Sequence, residues 1–305
     1  MTMRRMAWLP AWILVVLIGA CSSSMPEPVP AYHGFSHADQ LRTYLWGKDG
    51  RSCLISAHRG GPGPGFPENA LETFAHSLSM APCLIECDVR VSRDGILVLM
   101  HDATLDRTTN GTGAVVEKDL AHLRQLRLRD PFGKVTAHRI PTLGETLEWA
   151  RQRCVLTLDV KEKRLYAMVL DSLECHHARG YAVVITYSHE QAVRVNALDA
   201  GVVISASASS LPSLQRLLKT GVPAARLVVF VGTREPDPEV YRMLRAVGIP
   251  AILGTMNHLD RLARRRGDEV YRELYRSGAQ ILSTDSVRRV ARSLEKTGRG
   301  SADIY

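Results

Sequence analysis

Two histidines, three carboxylates, an arginine and a lysine fall in or just after short apolar runs of this chain. His58 and Arg59 follow "CLISA", Glu86 and Asp88 lie in "LIECDV", His101 follows "ILVLM", and Asp159 and Lys161 lie in and after "VLTLDV". Residues two apart on a strand point to one face, so Glu86 and Asp88 share a face, as do Asp159 and Lys161. Carboxylates on the inner face of a sheet resist burial unless positive charge neutralises them. Two arrangements would do so. A hard divalent cation, Ca²⁺ or Mg²⁺, takes oxygen ligands of this kind. Alternatively, Arg59 and Lys161 form buried ion pairs with no metal. Either histidine alone would pass for a structural one. Two of them beside three carboxylates and an arginine fit acid–base chemistry on an anionic ester, one taking a proton and the other giving one while positive charge holds the ester.

These residues need a scaffold. Nine short apolar runs, at 53–57, 84–89, 96–100, 155–160, 182–186, 202–206, 227–231, 251–254 and 280–284, alternate with amphipathic stretches. Most are continuously hydrophobic and β-branched, as in strands covered on both faces of a parallel sheet. Repeated strand–helix alternation over this length predicts an α/β fold, a TIM-type (β/α)8 barrel. Nine candidates for eight places leave one strand peripheral or misassigned. Only "RVSRDG" separates "LIECDV" from "ILVLM", too little for a parallel crossover, and "RDG" suits a tight turn. Residues 84–101 therefore read as a hairpin that brings His101 opposite Glu86 to Asp88. The polar, turn-rich stretch after His101 reads as a small excursion at the end of the barrel where active sites form.

Composition and termini narrow the setting. The chain of 305 residues has a formal charge of +8, which favours anionic partners. Aromatic residues make up 6%, and no motif of a nucleic-acid module is present, so no nucleic-acid partner is expected. Arg4 and Arg5 precede the apolar run "AWLPAWILVVLIGA", which has the length of a signal peptide and is short for a membrane span. "LIGAC" resembles a bacterial lipobox, which implies cleavage before Cys21 and lipid attachment to its sulfur. The expected organisation is a lipoprotein signal peptide at 1–20, a lipidated tether and lead-in at 21–50, a barrel domain at 51–297 and a tail at 298–305. That implies an exported protein held at a bacterial membrane. Five cysteines remain, and Cys53, Cys83 and Cys154 each precede a strand. One disulfide among them and three separate buried thiols both stay open. Cys175-His176-His177 reads as helix surface rather than a zinc site, since adjacent residues on a helix do not face one point. Oligomeric state is not legible.

"AHRG" followed by "PEN", then "IECDV", "DGILVLMHDATLDRTTNGTG", "IPTLGETLEWA", "LDVK" and "ILSTDS", resembles the glycerophosphodiester phosphodiesterase family. The motifs are collinear and densest over residues 55–161. The resemblance implies a TIM-type barrel, one divalent cation, and hydrolysis of glycerophosphodiesters to glycerol 3-phosphate and an alcohol through a cyclic phosphate. It assigns His58 and His101 as the catalytic pair, Arg59 and Lys161 to substrate phosphate, and Glu86, Asp88 and Asp159 to the metal. Glu68 corresponds to a family acid near the phosphate and metal and is a fourth candidate metal ligand. Three departures bear on substrate, one of them a loop between "HRG" and "PEN" that is a residue longer than the common form. The family usually has Glu where this chain has Asp159. It also carries a Trp-Thr pair where this chain has Gly254-Thr255, which should widen the pocket or hand the aromatic's role to another residue. A lysophospholipase D acting on lysolipids and a non-catalytic barrel lipoprotein are the alternatives. In the loop after His58, Gly60 and Gly61 are expected to let backbone approach a phosphate. Asn69 and Glu72 match a helix capping box.

Overall fold

The computed structural model describes residues 34–47, 50 and 53–295. The leader at 1–20, Cys21, most of the tether and the tail at 298–305 lie outside the described residues. The strands are β1 (Leu54–Ala57), β2 (Leu84–Val91), β3 (Leu97–Leu99), β4 (Leu156–Val160), β5 (Ala182–Thr186), β6 (Val203–Ser207), β7 (Leu227–Phe230), β8 (Ala251–Gly254) and β9 (Ile281–Thr284). Helices α1 (Ala38–Trp46), α2 (Leu71–Met80), α3 (Leu120–Leu123), α4 (Leu143–Ala150), α5 (Tyr166–Cys175) and α6 (His189–Leu198) are followed by α7 (Leu211–Leu218), α8 (Pro238–Ala246), α9 (His258–Arg266), α10 (Glu269–Ser277) and α11 (Val287–Glu295). β1 pairs in parallel with both β2 and β9, which closes eight strands into a barrel surrounded by helices. The strand left over is β3. It runs antiparallel to β2, with Val89 opposite Leu99, and its turn uses Gly95 at φ 82°. The Met100 N–H donates to the Asp88 carbonyl at 2.9 Å, so the hairpin delivers His101 beside the β2 carboxylates.

Inside the barrel, polarity changes with height along five of the eight strands. One apolar side chain from each barrel strand, or from the residue just before it, forms a closed lower layer: Leu54, Leu84, Val155, Val183, Val203, Val228, Ile252 and Ile281. Two residues further on, the inward positions Ser56, Glu86, Thr157, Ile185, Ser205, Phe230 and Ser283 line a cavity. A strand's period of two carries this switch from oil to polar groups within a few residues. The opposite face of each strand packs on the helices, for example Ile85 and Cys87 of β2 and Leu156 and Leu158 of β4.

The lower layer has a lid. Ala38, Leu41, Tyr44 and Leu45 of α1 recur at helical spacing and bury against that ring. Part of the 21–50 segment is thus barrel floor rather than lead-in, because the ring would otherwise face water. The excursion at 102–141 has its own small core of Val98, Met100, Leu105, Val115, Leu123, Leu126, Leu128 and Ile140. It is tied to the loop after β1 by the Gly65 N–H, which donates to Asp130 at 2.9 Å. Cys53, Cys83, Cys87 and Cys154 are buried free thiols and Cys175 is an exposed one, so no disulfide joins them. Burial pushes the Cys53 and Cys83 thiols up to about 12. Cys175 ends α5, and His176 and His177 form the turn after it.

Leu41→Ala should lower unfolding free energy by about 2–5 kcal/mol in urea titration, since the side chain is fully buried under the barrel. A loss below about 0.5 kcal/mol, the value for an exposed surface position, would show that α1 is not part of the folded unit.

Candidate active site

The site begins where β1 ends. His58–Gly60 make one tight turn in which Arg59 has φ 49°, a left-handed value that costs a non-glycine residue about 1 kcal/mol or more. The turn aims the Arg59 backbone N–H at Glu86 Oε2, 2.6 Å away. A hydrogen bond to a charged acceptor offsets that strain. The Arg59 carbonyl accepts from the Asn69 N–H at 3.1 Å, and Asn69 is itself left-handed at φ 60°.

Asn69 is not a helix cap. α2 starts at Leu71 with Ala70 in the cap position and no side-chain cap. The Asn69 amide instead grips Asp88 from both sides, with Nδ2 donating to Oδ2 at 2.7 Å and Oδ1 accepting from the Asp88 N–H at 2.9 Å. The local sequence pattern of a cap gives way to a buried carboxylate that needs donors. Gly60 and Gly61 also serve a different end from the expected one. Both have positive φ, and a Cβ on Gly60 would stand 2.3 Å from the Phe74 ring, one on Gly61 2.6 Å from Ser77 Oγ. They allow α2 to pack closely, and Ser77 Oγ donates to the Gly60 carbonyl at 2.6 Å.

β2 and β4 pair with Asp88 directly across from Asp159. Glu86, Asp88 and Asp159, all buried, offer oxygens within 4.8 Å of one another. Two cationic groups partly balance them. Lys161 Nζ lies 2.7 Å from Asp88 Oδ1 and 2.5 Å from Asp159 Oδ2, and Arg59 Nε is 3.9 Å from Asp88. Burial opposes charge on Asp88, but Lys161 and the Asn69 amide outweigh it and hold the carboxyl below its ordinary range. Burial, and after it the Asp88 charge, drives Glu86 the other way, well above the ordinary range. Burial opposes the charge on Lys161 too, yet the two aspartates raise its pKa. Asp159 Oδ2 also accepts from Tyr187 Oη at 2.5 Å, whereas Asp159 Oδ1 is buried with no partner. That orphaned oxygen and the raised Glu86 both mark too little positive charge in the cluster, which suits a divalent cation with oxygen ligands. The ion-pair arrangement to Lys161 is therefore present but does not satisfy the cluster by itself.

Both histidines are oriented by carboxylates. His58 Nδ1 lies 2.7 Å from Asp285 Oδ1, and His101 Nδ1 lies 2.7 Å from Asp102 Oδ1. Such a partner favours the Nδ1–H tautomer and leaves Nε2 for proton transfer. Burial opposes charge on His58, but Asp285 and then Glu86 outweigh it and raise its pKa. Arg107 locks the second pair. Its guanidinium bonds both oxygens of Asp102, at 2.6 and 2.9 Å, and both of Glu68, at 2.8 and 2.9 Å. The Arg107 hydrogen bond, against a smaller opposing effect of burial, holds Asp102 far below the usual carboxylate range. Glu68 faces Arg59 as well, at 3.2 Å, so it lies outside the acidic trio and serves two arginines.

The seven residues singled out by spacing thus converge, with Glu68 beside them. Asn69, Asp102, Arg107, Tyr187 and Asp285 escape that spacing. Asp285 has a topological signal: barrel closure pairs Ala57 with Thr284, so the residues that follow, His58 and Asp285, must be neighbours. The place of the family's tryptophan is also filled. A Cβ at Gly254 would meet Met256 Sδ at 2.7 Å and Phe230 Cζ at 3.2 Å. Both line the cavity of about 140 Å³, beside Tyr187.

Two carboxylate-oriented histidines beside an acidic trio thus stand at the mouth of a parallel barrel. Residues 58–293 match the sequence profile of the Glycerophosphoryl diester phosphodiesterase family. The chain belongs to that family. It is 32% identical to a glycerophosphoryl diester phosphodiesterase of Parabacteroides distasonis whose crystal structure covers 89% of this chain, at a TM-score of 0.81, with 96% of that chain covered. A phosphodiesterase of Oleispira antarctica, solved in complex with the product sn-glycerol-3-phosphate, aligns at a TM-score of 0.66 over 79% of this chain and 96% of that one; at 23% identity it speaks for the fold alone. A glycerophosphodiester phosphodiesterase of Caldanaerobacter subterraneus is 42% identical over 96 residues, 31% of this chain and 39% of that one. One of Bacillus subtilis is 29% identical over 164 residues, 48% of this chain and 56% of that one. The matched segments thus span from about two-fifths to just over half the length of these two relatives.

Asn69→Gly should cost about 2–3 kcal/mol in chemical denaturation, because a buried carboxylate loses its amide partner while the left-handed backbone is kept. A loss of only a few tenths, as for a helix cap changed to Gly, would contradict the role given to Asn69.

Proposed function

We propose that this protein hydrolyses glycerophosphodiesters to glycerol 3-phosphate and an alcohol, with His58 and His101 as the acid–base pair. The observation that carries the reading is the matched orientation of the two imidazoles, each with Nδ1 on its own carboxylate, beside Glu86, Asp88 and Asp159. In the first step one Nε2 takes the proton of the glycerol 2-hydroxyl, whose oxygen attacks phosphorus. The P–O bond to the alcohol breaks, and the other imidazole gives its proton to the departing oxygen. Water then opens the cyclic phosphate with the two roles exchanged. Arg59 supplies charge for the phosphate from above the trio. Lys161 bridges Asp88 and Asp159, and its ammonium lies close enough to the cluster to meet an anionic substrate. Glu86, Asp88 and Asp159 would hold one Ca²⁺ or Mg²⁺, which when bound supplies positive charge for the phosphoryl oxygens. The apolar wall of Phe230 and Met256 with the Tyr187 ring suits the carbon face of a glycerol unit. Because these side chains fill the space at Gly254, the pocket gains no extra width there, which favours small glycerophosphodiesters over lysolipids.

His58→Ala and His101→Ala should each reduce turnover of glycerophosphocholine by about 10²–10⁴-fold at unchanged denaturation midpoint, read as glycerol 3-phosphate release with Ca²⁺ or Mg²⁺ present. Full turnover in either variant would sink the assignment. Choline release from lysophosphatidylcholine without glycerol 3-phosphate release would favour a lysophospholipase D, and no product from either substrate a non-catalytic barrel.

Export and lipid anchoring at Cys21 belong to the same proposal and rest on Arg4, Arg5, the apolar run and "LIGAC". Cells expressing the chain should incorporate labelled fatty acid into it, and Cys21→Ser should abolish the label. Equal labelling of that variant would remove the anchor from the account.

A further inference from the structure

The excursion carries a hairpin for which the catalytic reading has no use. Arg129 pairs with Val135, and the turn between them is heavily bonded. Asp130 Oδ1 accepts from the N–H groups of Phe132 and Lys134, both at 3.0 Å, and Gly133 takes φ 82°. This ordered turn holds residues 131–135 out in solvent, with Phe132 76% exposed and Val135 41%. A single exposed apolar side chain needs no explanation. Here the charge around it does. Residues 124–139 hold five cations, Arg124, Arg127, Arg129, Lys134 and Arg139, against one carboxylate, Asp130.

That carboxylate is occupied by backbone N–H groups, including Gly65, and Arg124 pairs with Glu145. Arg127 donates to the Ala137 carbonyl, Arg129 to those of Thr109 and Gly133, and Arg139 to that of Arg124. Among the described residues, no carboxylate lies within salt-bridge distance of Arg127, Arg129, Lys134 or Arg139. A rigid aromatic tip set in uncompensated positive charge matches the chemistry of an anionic lipid surface, where the ring enters the headgroup–acyl boundary and the cations meet headgroups. Position agrees. Asp130 is bonded to the loop that carries Arg59 and Glu68, so the tip stands at the rim of the barrel mouth.

We propose that residues 131–135 form an interfacial loop that docks the mouth of the barrel on an anionic lipid bilayer, with Phe132 inserted and Arg127, Arg129, Lys134 and Arg139 against the headgroups. The loop would present the catalytic face to the surface, independently of any anchor near the N-terminus. The inference does not depend on the hydrolytic assignment, because its test reads the position of a side chain and not turnover.

The probe is Phe132→Trp in the full chain, with fluorescence taken as the difference from the unsubstituted chain. Vesicles are phosphatidylcholine alone or phosphatidylcholine with a quarter phosphatidylglycerol. The tip tryptophan should shift to the blue and be quenched by brominated acyl chains with the anionic vesicles only, and high salt should reverse both. Val193→Trp on α6, a 40% exposed position, should show no change of emission on adding either vesicle. In the Phe132→Trp background, Lys134→Ser and Arg139→Ser should each weaken partitioning about fivefold. Emission unchanged by anionic vesicles, with iodide quenching unaltered, would overturn the proposal. A blue shift without vesicles that grows with protein concentration would overturn it in favour of a second copy of the chain.

Discussion

Three carboxylates forced together at one end of a barrel set the terms for the rest of this structure. Glu86, Asp88 and Asp159 are all buried, and Asp88 and Asp159 sit side by side in the strand register. Like charges at such spacing are costly in a medium of low dielectric, so the surrounding chain is shaped to supply donors. Lys161 bridges the two aspartates. Arg59 and Asn69 accept left-handed backbones so that an N–H reaches Glu86 and an amide reaches Asp88. Even so, one oxygen of Asp159 stays without a partner. The site is built short of positive charge, and that shortage is what a divalent cation would meet.

The barrel supports this by separating two jobs along its axis. A floor of apolar side chains closed by α1 provides the burial that holds the strands in register. Above it, five of the eight strands turn polar within two residues. The histidines stand at the rim because they follow strand ends, and each is steered by a carboxylate. Closure of β1 on β9 brings Asp285 to His58, while Asp102 follows His101 directly and is itself held by Arg107. Arg107 also bonds Glu68, which ties the excursion to the loop after β1.

Much of this was legible in the residues. Alternating apolar and amphipathic runs specified the barrel, and the short link at 90–95 specified the hairpin that places His101. Residue parity on a strand put Glu86 and Asp88 on one face. What escaped depends on contacts between distant segments. Asn69 fits a capping pattern locally, yet the field of Asp88 claims its amide. Gly60 and Gly61 look like phosphate-loop glycines, but the bulk they avoid is Phe74 and Ser77 of α2. Arg107 and Tyr187 sit in loops with no periodicity to reveal where they point. The floor helix α1 shows helical spacing, but the Ser- and Pro-rich segment before it disguised the boundary. Gly254 illustrates the reverse case: the missing aromatic was visible in sequence, and its replacement by Phe230 and Met256 only in space.

The central claim is that the acidic trio is a cation site and not a self-contained ion-pair cluster. Calorimetric titration of metal-stripped protein with Ca²⁺ and with Mg²⁺ tests it most directly. The account predicts one cation bound per chain, no binding in Glu86→Gln or Asp159→Asn, and phosphodiester hydrolysis that rises in step with occupancy. No binding heat in the unsubstituted protein, together with full hydrolysis in the presence of chelator, would contradict it.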